Sequence, residues 1–280
     1  MIRIVTDTGS DITYLGAKDA GVEVVELDIK FDEFPYDYRN DLDFKVFYEN
    51  LGKAKKLPST SQVTPAQYLE IYNDAKEKGD EILVLTLSGG LSGTFSSATM
   101  AKEECGYDKI TIIDTRQAIT SQYAMTEYAV KLRDEGKSLA EIEKAIIPVR
   151  DKMNLTACLD TLTYLKKGGR VPPALALIGN IIKIKPVIYL KDGKIEPLDK
   201  VRGFQAGMKT IWDKLEKDGF DDSVIPVCFG HTNDPERGQT FMDETVKKFG
   251  IKNHKLVSVG GVIGTHAGPG SVVVTYVQTK

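Results

Sequence analysis

Apolar and polar positions alternate in blocks through the first half of the chain. Ile2–Thr6, Glu81–Leu87 and Lys109–Ile113 are short apolar runs, each closing on Ser, Thr, Gly or Asp. Such a run, bounded by turn residues, predicts a buried strand ending in a polar loop. Longer segments with helical spacing lie between the runs. The clearest starts at Thr64-Pro65-Ala66-Gln67, a capping box with proline at the first helical position. It repeats Tyr68, Leu69, Tyr72 and Ala75 at helical intervals and closes at Gly79. Phe95–Glu104, Gln122–Asp134 and Leu139–Val149 are further helix candidates. Strands alternating with helices predict a mostly parallel sheet with helices on both faces.

The second half has a different rhythm. Lys185–Lys191 and Lys194–Lys200 flank Asp192-Gly193, a strong hairpin signal. A helix at Phe204–Lys217, a strand at Val224–Phe229, a helix at Pro235–Phe249 and strands at Lys255–Val259 and Ser271–Gln278 complete the pattern. This reads as an α+β unit with a mixed sheet. The expected fold class is therefore two-domain α/β, with residues 1–152 forming the parallel-sheet domain and 153–280 the α+β domain. The break falls after Pro148 and before a strand at Asn154–Leu159. No repeat or long linker separates the halves, so they are expected to pack closely and share a cleft.

Composition narrows the function classes. Hydrophobic residues make up 41% of the 280 and charged residues 28%, enough apolar material for a sizeable core. Forty acidic side chains against thirty-seven basic ones leave a net charge of −3, which argues against a general nucleic-acid binder. No apolar run approaches the roughly eighteen residues of a membrane helix, and the amino terminus lacks signal-peptide architecture. Cys105, Cys158 and Cys228 lie far apart without a C-x-x-C spacing and read as buried, reduced thiols. His231, His254 and His266 form no zinc-binding spacing, so no metal is expected. A cytoplasmic protein is the expected setting.

Candidate chemistry sits at the carboxyl ends of the predicted strands, where parallel sheets bind ligands. Asp7-Thr8-Gly9-Ser10-Asp11 follows the first strand, and Ser88-Gly89-Gly90-Leu91-Ser92-Gly93-Thr94 runs from another into a helix. A glycine-rich turn at a helix amino terminus offers N–H groups and a positive partial charge to a carboxylate or phosphate. The G-x-G-x-x-G, phosphate-loop and G-x-S-x-G patterns are all unmet, leaving a simple cap, an anion cradle or a catalytic serine as readings. Ser59, Thr60 and Ser61 lie just upstream of the cap at Thr64 and supply hydroxyls that the cap does not need, available to an anion or belonging simply to a solvated loop. Residues 150–210, which include Gly168-Gly169-Arg170 and Arg202-Gly203, hold twelve Lys or Arg against five Asp or Glu. That asymmetry suits an anionic ligand or an acidic partner, or simply a solvated face. Gly264-Thr265-His266-Ala267-Gly268-Pro269-Gly270 reads as an ordered loop presenting one histidine, able to bind an anion when protonated or to act as acid or base. A hydrogen bond of purely structural purpose is the other reading. His231 reads as part of a turn leading into the Pro235 helix.

Taken in order, Val5-Thr6-Asp7-Thr8-Gly9-Ser10-Asp11, Thr60-Ser61-Gln62, Leu91-Ser92-Gly93-Thr94, Gly168-Gly169-Arg170 and the Gly264–Gly270 segment resemble the DegV family across essentially the whole chain. The resemblance implies a two-domain α/β protein that holds one long-chain fatty acid between its domains and has no cofactor of its own. It further implies the binding subunit of a bacterial fatty acid kinase, whose separate ATP-using catalytic subunit phosphorylates the bound carboxylate for phospholipid synthesis. Transient contact with a membrane or an acyltransferase belongs to the same expectation. By position, Thr60 and Ser92 look like the hydroxyls that hold the carboxylate, with Ser61 and Gly93 beside them. Arg170 and His266 look like the polar groups that assist phosphoryl transfer, and Arg202 like a contact for the kinase subunit. The chain departs from the usual pattern at Val63-Thr64, Gly89 and Ala267.

The physical chemistry agrees with that implication. Hydroxyls suit a carboxylate, and arginines suit the added charge of an acyl phosphate. At about 0.8 kcal/mol per buried methylene, a sixteen-carbon tail releases on the order of 11 kcal/mol before association costs, which requires a long apolar tunnel. Leu175, Leu177, Ile178, Ile181 and Ile182 are candidate wall residues, with ordinary core packing as the default reading for all five. The rival readings are a lipid hydrolase or acyltransferase using Ser92 with His266, and a binding module for another small anion.

Overall fold

The computed structural model describes residues 1–37, 44–176 and 184–280. The three strands predicted in the first half, joined by a fourth at Val22–Val25 that the sequence pattern did not predict, assemble as a parallel sheet. β1 (Ile2–Asp7), β2 (Val22–Val25), β5 (Glu81–Thr86) and β6 (Ile110–Asp114) pair in the order β2-β1-β5-β6. Alternation along the strands sends side chains to opposite faces. Val5, Ile82 and Val84 pack with Tyr68, Tyr72, Ala98 and Ala101 of α3 (Pro65–Lys78) and α4 (Thr94–Cys105). Ile4, Leu83 and Leu85 pack instead with Met125, Ala129, Ile142 and Ile146 of α5 (Ile119–Asp134) and α6 (Leu139–Lys152). The Thr64–Gln67 capping box is formed, with the Thr64 hydroxyl accepting the Gln67 N–H at 3.4 Å and Gln67 Oε1 accepting the Thr64 N–H at 2.9 Å.

The second sheet is mixed and has six strands. Its order is β11 (His254–Ser258), β10 (Val227–His231), β12 (Val272–Val277), β7 (Met153–Cys158), β8 (Ile184–Lys191) and β9 (Lys194–Arg202). Only the β10–β11 pair is parallel. The Asp192-Gly193 turn has positive φ at both residues, 49° and 78°, as the tightest hairpins require. One face, including Phe229, Val272, Val274 and Tyr276, packs under α9 (Phe204–Asp218) and α10 (Pro235–Phe249). The other face contributes Leu155, Ala157, Ile188 and Leu190 to the interior of the molecule, shared with the first sheet's core. Helix α5 touches both sheets and so lies between them.

Smaller elements complete the description. These are α1 (Tyr14–Asp19), the short pair β3 (Ile29–Lys30) and β4 (Ser59–Thr60), α2 (Lys45–Lys53), α7 (Thr163–Lys167), α8 (Pro173–Ala176) and α11 (Gly261–Ala267). A single 3-10 turn at Thr8–Ser10 follows β1.

Several expectations shift. The strand expected at Val224–Phe229 starts at Val227, because Pro226 has no N–H for the ladder. Helix α6 runs through Pro148 to Lys152; the proline removes one backbone donor, while buried Ile142 and Ile146 still hold the helix to the core. His266 was expected on a loop and instead sits in the last turn of α11, since Val262, Gly264 and Thr265 bury one turn of helix there. The three cysteines are buried and unpaired. His231 closes β10, and its Nδ1 accepts the Asp234 N–H at 3.4 Å where the chain turns into α10.

Candidate functional site

A cavity of about 430 Å³ lies where the inner face of the second sheet meets the segments that follow β2, β5 and β6. That volume is in the range of small-molecule sites. Its walls are mostly aliphatic, and its polar groups gather at one end. The second sheet provides much of the wall: Ala157 and Ile188 are register partners on β7 and β8, and Leu155, Leu190 and Ile195 continue the surface. Leu87, Ile119 at the start of α5, and Val262 and Ile263 of α11 close other sides.

The polar end is a chain of contacts between residues distant in sequence. Thr60, at the end of β4, places its Oγ1 2.9 Å from Nε2 of His266. The His266 ring packs directly on Gly168, where an added Cβ would lie 2.1 Å from Nδ1. Arg170 donates to the Gly168 carbonyl at 2.7 Å and to the Leu91 carbonyl at 3.2 Å, so an exposed guanidinium ties the residues after α7 to the glycine-rich loop. On that loop the Ser92 hydroxyl is 2.9 Å from Thr94 Oγ1. Gly93 opens α4 and lies against the Gln62 side chain, whose amide donates to Ser97 Oγ at 2.9 Å.

The loop does not form the open N–H cradle that its glycines suggested. Gly89 N–H donates to Asp114, Gly90 N–H to Ser88 Oγ, and the Leu91 and Ser92 N–H groups to the Ser88 carbonyl. The tight turn consumes these four N–H groups itself, so side-chain hydroxyls, Arg170 and the Gly93 N–H are donors that the lining can offer. The loop is anchored from both directions. Buried Asp7 accepts the Leu87 N–H at 2.7 Å, and the Ser88 hydroxyl donates to the Gly193 carbonyl of the hairpin turn at 2.7 Å.

Burial controls the charge. Desolvation, reinforced by the neighbouring Arg170 cation, lowers His266 to about 4. With no anion beside it, the ring is therefore neutral near pH 7. Its Nδ1 has no hydrogen-bond partner among the described residues. Positive charge at the polar end comes from Arg170.

Thr60, Ser61, Ser92, Gly93, Arg170 and His266 all line this one cavity. Arg202 is not among the lining residues; it is exposed at the end of β9, across the ladder from Ile184. The Ser92–His266 pair needed by a hydrolase is not assembled, because Nε2 of the ring faces Thr60 and Ser92 turns to Thr94. Leu175 is fully buried in the apolar core and is absent from the cavity lining. Leu177, Ile178, Ile181 and Ile182 lie outside the described residues. The walls from β7, β8 and α11 went unnoticed in the sequence, although the alternation through Leu155-Thr156-Ala157 and Ile188-Tyr189-Leu190 was readable as a strand face. Among the described residues no group of His, Cys, Asp and Glu is placed to hold a metal, and no helix is long and apolar enough to cross a membrane.

An aliphatic cavity ending in hydroxyls and one cation, set between two sheets, defines a binding protein suited to an amphipathic anion. The chain belongs to the DegV family, described as an uncharacterised protein family, whose model matches residues 1–279. A DegV domain-containing protein of Clostridium perfringens is 30% identical, with 98% of this chain and 96% of the relative covered. A DegV domain-containing protein of Deinococcus radiodurans is also 30% identical, over 97% of this chain and 96% of the relative. Among solved structures, a fatty acid binding DegV protein of Streptococcus agalactiae has 25% identity and a TM-score of 0.88, covering 100% of this chain and 99% of that one. A DegV protein of Thermus thermophilus, solved for its fatty acid binding, has 27% identity and a TM-score of 0.86, covering 99% of both chains.

Proposed function

We propose that this protein binds one long-chain fatty acid, with the tail along the aliphatic walls and the carboxylate at Thr60, Ser61, Ser92, Gly93, Arg170 and His266. The observation that carries the reading is the division of a single 430 Å³ cavity into aliphatic walls and one polar end. The fatty acid binding of the relatives from Streptococcus agalactiae and Thermus thermophilus supports it. A neutral His266 suits this ligand, because it lets the ring share a hydrogen bond with Thr60 while Arg170 alone balances one carboxylate charge.

The protein then serves, in the cytoplasm, as the binding subunit of a two-component fatty acid kinase. A separate catalytic subunit brings ATP and its metal, and the acyl phosphate passes to phospholipid synthesis with transient contact to a membrane or an acyltransferase. In this reading Arg170 and His266 organise the head group during phosphoryl transfer, and exposed Arg202 engages the kinase. The test is ATP-dependent acyl-phosphate formation in a mixture reconstituted with a fatty acid kinase catalytic subunit. Arg170→Ala and His266→Ala are expected to abolish product, and Arg202→Ala to raise the concentration of protein needed for half-maximal rate. Full activity of both the Arg170 and His266 variants contradicts the assignment.

A further inference from the structure

The helix that carries His266 is held from behind by residues outside the cavity lining. Helix α11 has two faces. Val262, Ile263, His266 and Ala267 look into the cavity. Gly261 and Gly264 lie against the aromatic side chains of α2: a Cβ on Gly261 would come within 2.7 Å of Phe47, and one on Gly264 within 2.7 Å of Tyr48 Oη. Where Gly261 and Gly264 meet α2 there is no α11 side chain to interlock with Phe47 and Tyr48 and set the helix's position along the groove.

Two polar contacts supply that setting where the chain enters the helix. The Tyr48 hydroxyl donates to the Val259 carbonyl at 2.9 Å. Gly260, the residue that caps α11 without a side chain, donates its N–H to Asp11 Oδ1 at 2.9 Å. Both side chains are buried, Asp11 at 1% exposure and Tyr48 at 6%. Asp11 occupies a left-handed backbone conformation at φ 60°, and its second oxygen has no donor among the described residues. Burial pushes this carboxyl well above the usual carboxylate range. An under-satisfied acid on unfavourable backbone is costly, and the cavity itself makes no use of it.

We propose that Asp11 and Tyr48 are positioning residues that fix the start of α11 so that the His266 ring meets Thr60 at the polar end of the cavity. The inference rests on His266 belonging to the head-group site. It makes the first-half loop after β1 part of the binding apparatus without contact to the ligand. The contact ties the first half of the sequence to the second, since Asp11 and Gly260 are 249 positions apart.

The experiment follows the His266 imidazole by 15N NMR across pH 3.5–7.5, together with uptake of oleate, in Asp11→Ala, Asp11→Asn and Tyr48→Phe. Asn keeps the oxygen that accepts the Gly260 N–H. Ile146→Val, in the α6 core, serves as the control for lost stability. In the wild type the ring is expected to titrate near 4. Asp11→Ala and Tyr48→Phe are expected to raise that midpoint by about one unit or more as water reaches the ring, and to weaken oleate binding about fivefold. Asp11→Asn is expected to restore both, and Ile146→Val to change neither. An unchanged His266 titration in folded Asp11→Ala and Tyr48→Phe overturns the proposal, as does an Asn variant that behaves like Ala. If Asp11→Ala does not fold, Tyr48→Phe decides alone. If the wild type itself takes up no oleate, the functional reading fails, while the His266 spectra still judge the positioning role.

Discussion

Thr60 Oγ1 and His266 Nε2 are 2.9 Å apart although 206 positions separate them, and that contact joins the short strand β4 to the helix α11 across the polar end of the cavity. The hydrogen bond makes the pair one polar unit. Thr60→Val keeps the shape of the side chain and removes the hydroxyl. It strands the ring nitrogen and deletes a donor to the carboxylate, which at about 1–1.5 kcal/mol per hydrogen bond predicts roughly tenfold weaker fatty acid binding. Titration calorimetry with oleate checks this; equal affinity contradicts the head-group assignment of Thr60.

Gly168 carries a sharper constraint than its neighbour. A Cβ at Gly168 would lie 2.1 Å from Nδ1 of His266, whereas Gly169, at φ 69°, faces open space. Gly168→Ala is expected to push the imidazole from Thr60 and to cost more than about tenfold in fatty acid affinity with a small loss of Tm. Gly169→Ala is expected to lower stability by about 1 kcal/mol through backbone strain and leave binding intact. Thermal melts and ligand titrations on the two variants separate the effects.

The tail preference should follow the second sheet. Ala157 and Ile188 are register partners on one wall of the cavity, so Ala157→Phe fills the space in front of them. The fatty acids retained through purification are expected to shorten by about two carbons or more, because the walls of a packed interior do not move aside for extra volume. Mass spectrometry of released ligand reports the shift.

Two buried groups oppose one another in acid. His266 falls to about 4, so the unfolded chain takes up its proton near the ordinary 6.5 while the folded protein does not, and stability is lost as pH falls from 6.5 towards 4. Desolvation pushes the Asp7 carboxyl up to about 6 against its bonds from Leu87, Gln122 and Gly9. The folded protein therefore keeps that proton longer, and the contribution is present below 3.8 and lost as pH rises through 6. Asp7→Asn is expected to make Tm fall more steeply than wild type on acidification from pH 6 to 4, and His266→Gln to make it fall less. Melts at four or five pH values test both slopes.

Much of the fold was legible because local chemistry and tertiary structure agree. Thr64-Pro65 and Gln67 cap α3, and Asp192-Gly193 turns the β8–β9 hairpin, as their own sequences require. The site was legible as a set of loops but not as a geometry. No local signal shows that Gly264–Ala267 is helical, because its helix is stabilised by glycines lying on Phe47 and Tyr48, more than two hundred residues upstream. The neutrality of His266 was equally hidden, since it follows from burial rather than from residue type. The Ser92–His266 pairing was feasible from sequence because no local signal shows the ring's partner; Thr60 occupies Nε2. The wall residues on β7 and β8 were readable as a strand face, but which of the two faces would meet a cavity depends on α9 and α10 covering the other.

The most direct test of the account is native mass spectrometry of the purified protein, followed by denaturation and identification of what is released. The account predicts one long-chain fatty acid per chain, lost or reduced in Arg170→Ala and Thr60→Val. A wild-type protein that emerges free of lipid and takes up neither oleate nor palmitate when they are added would contradict it.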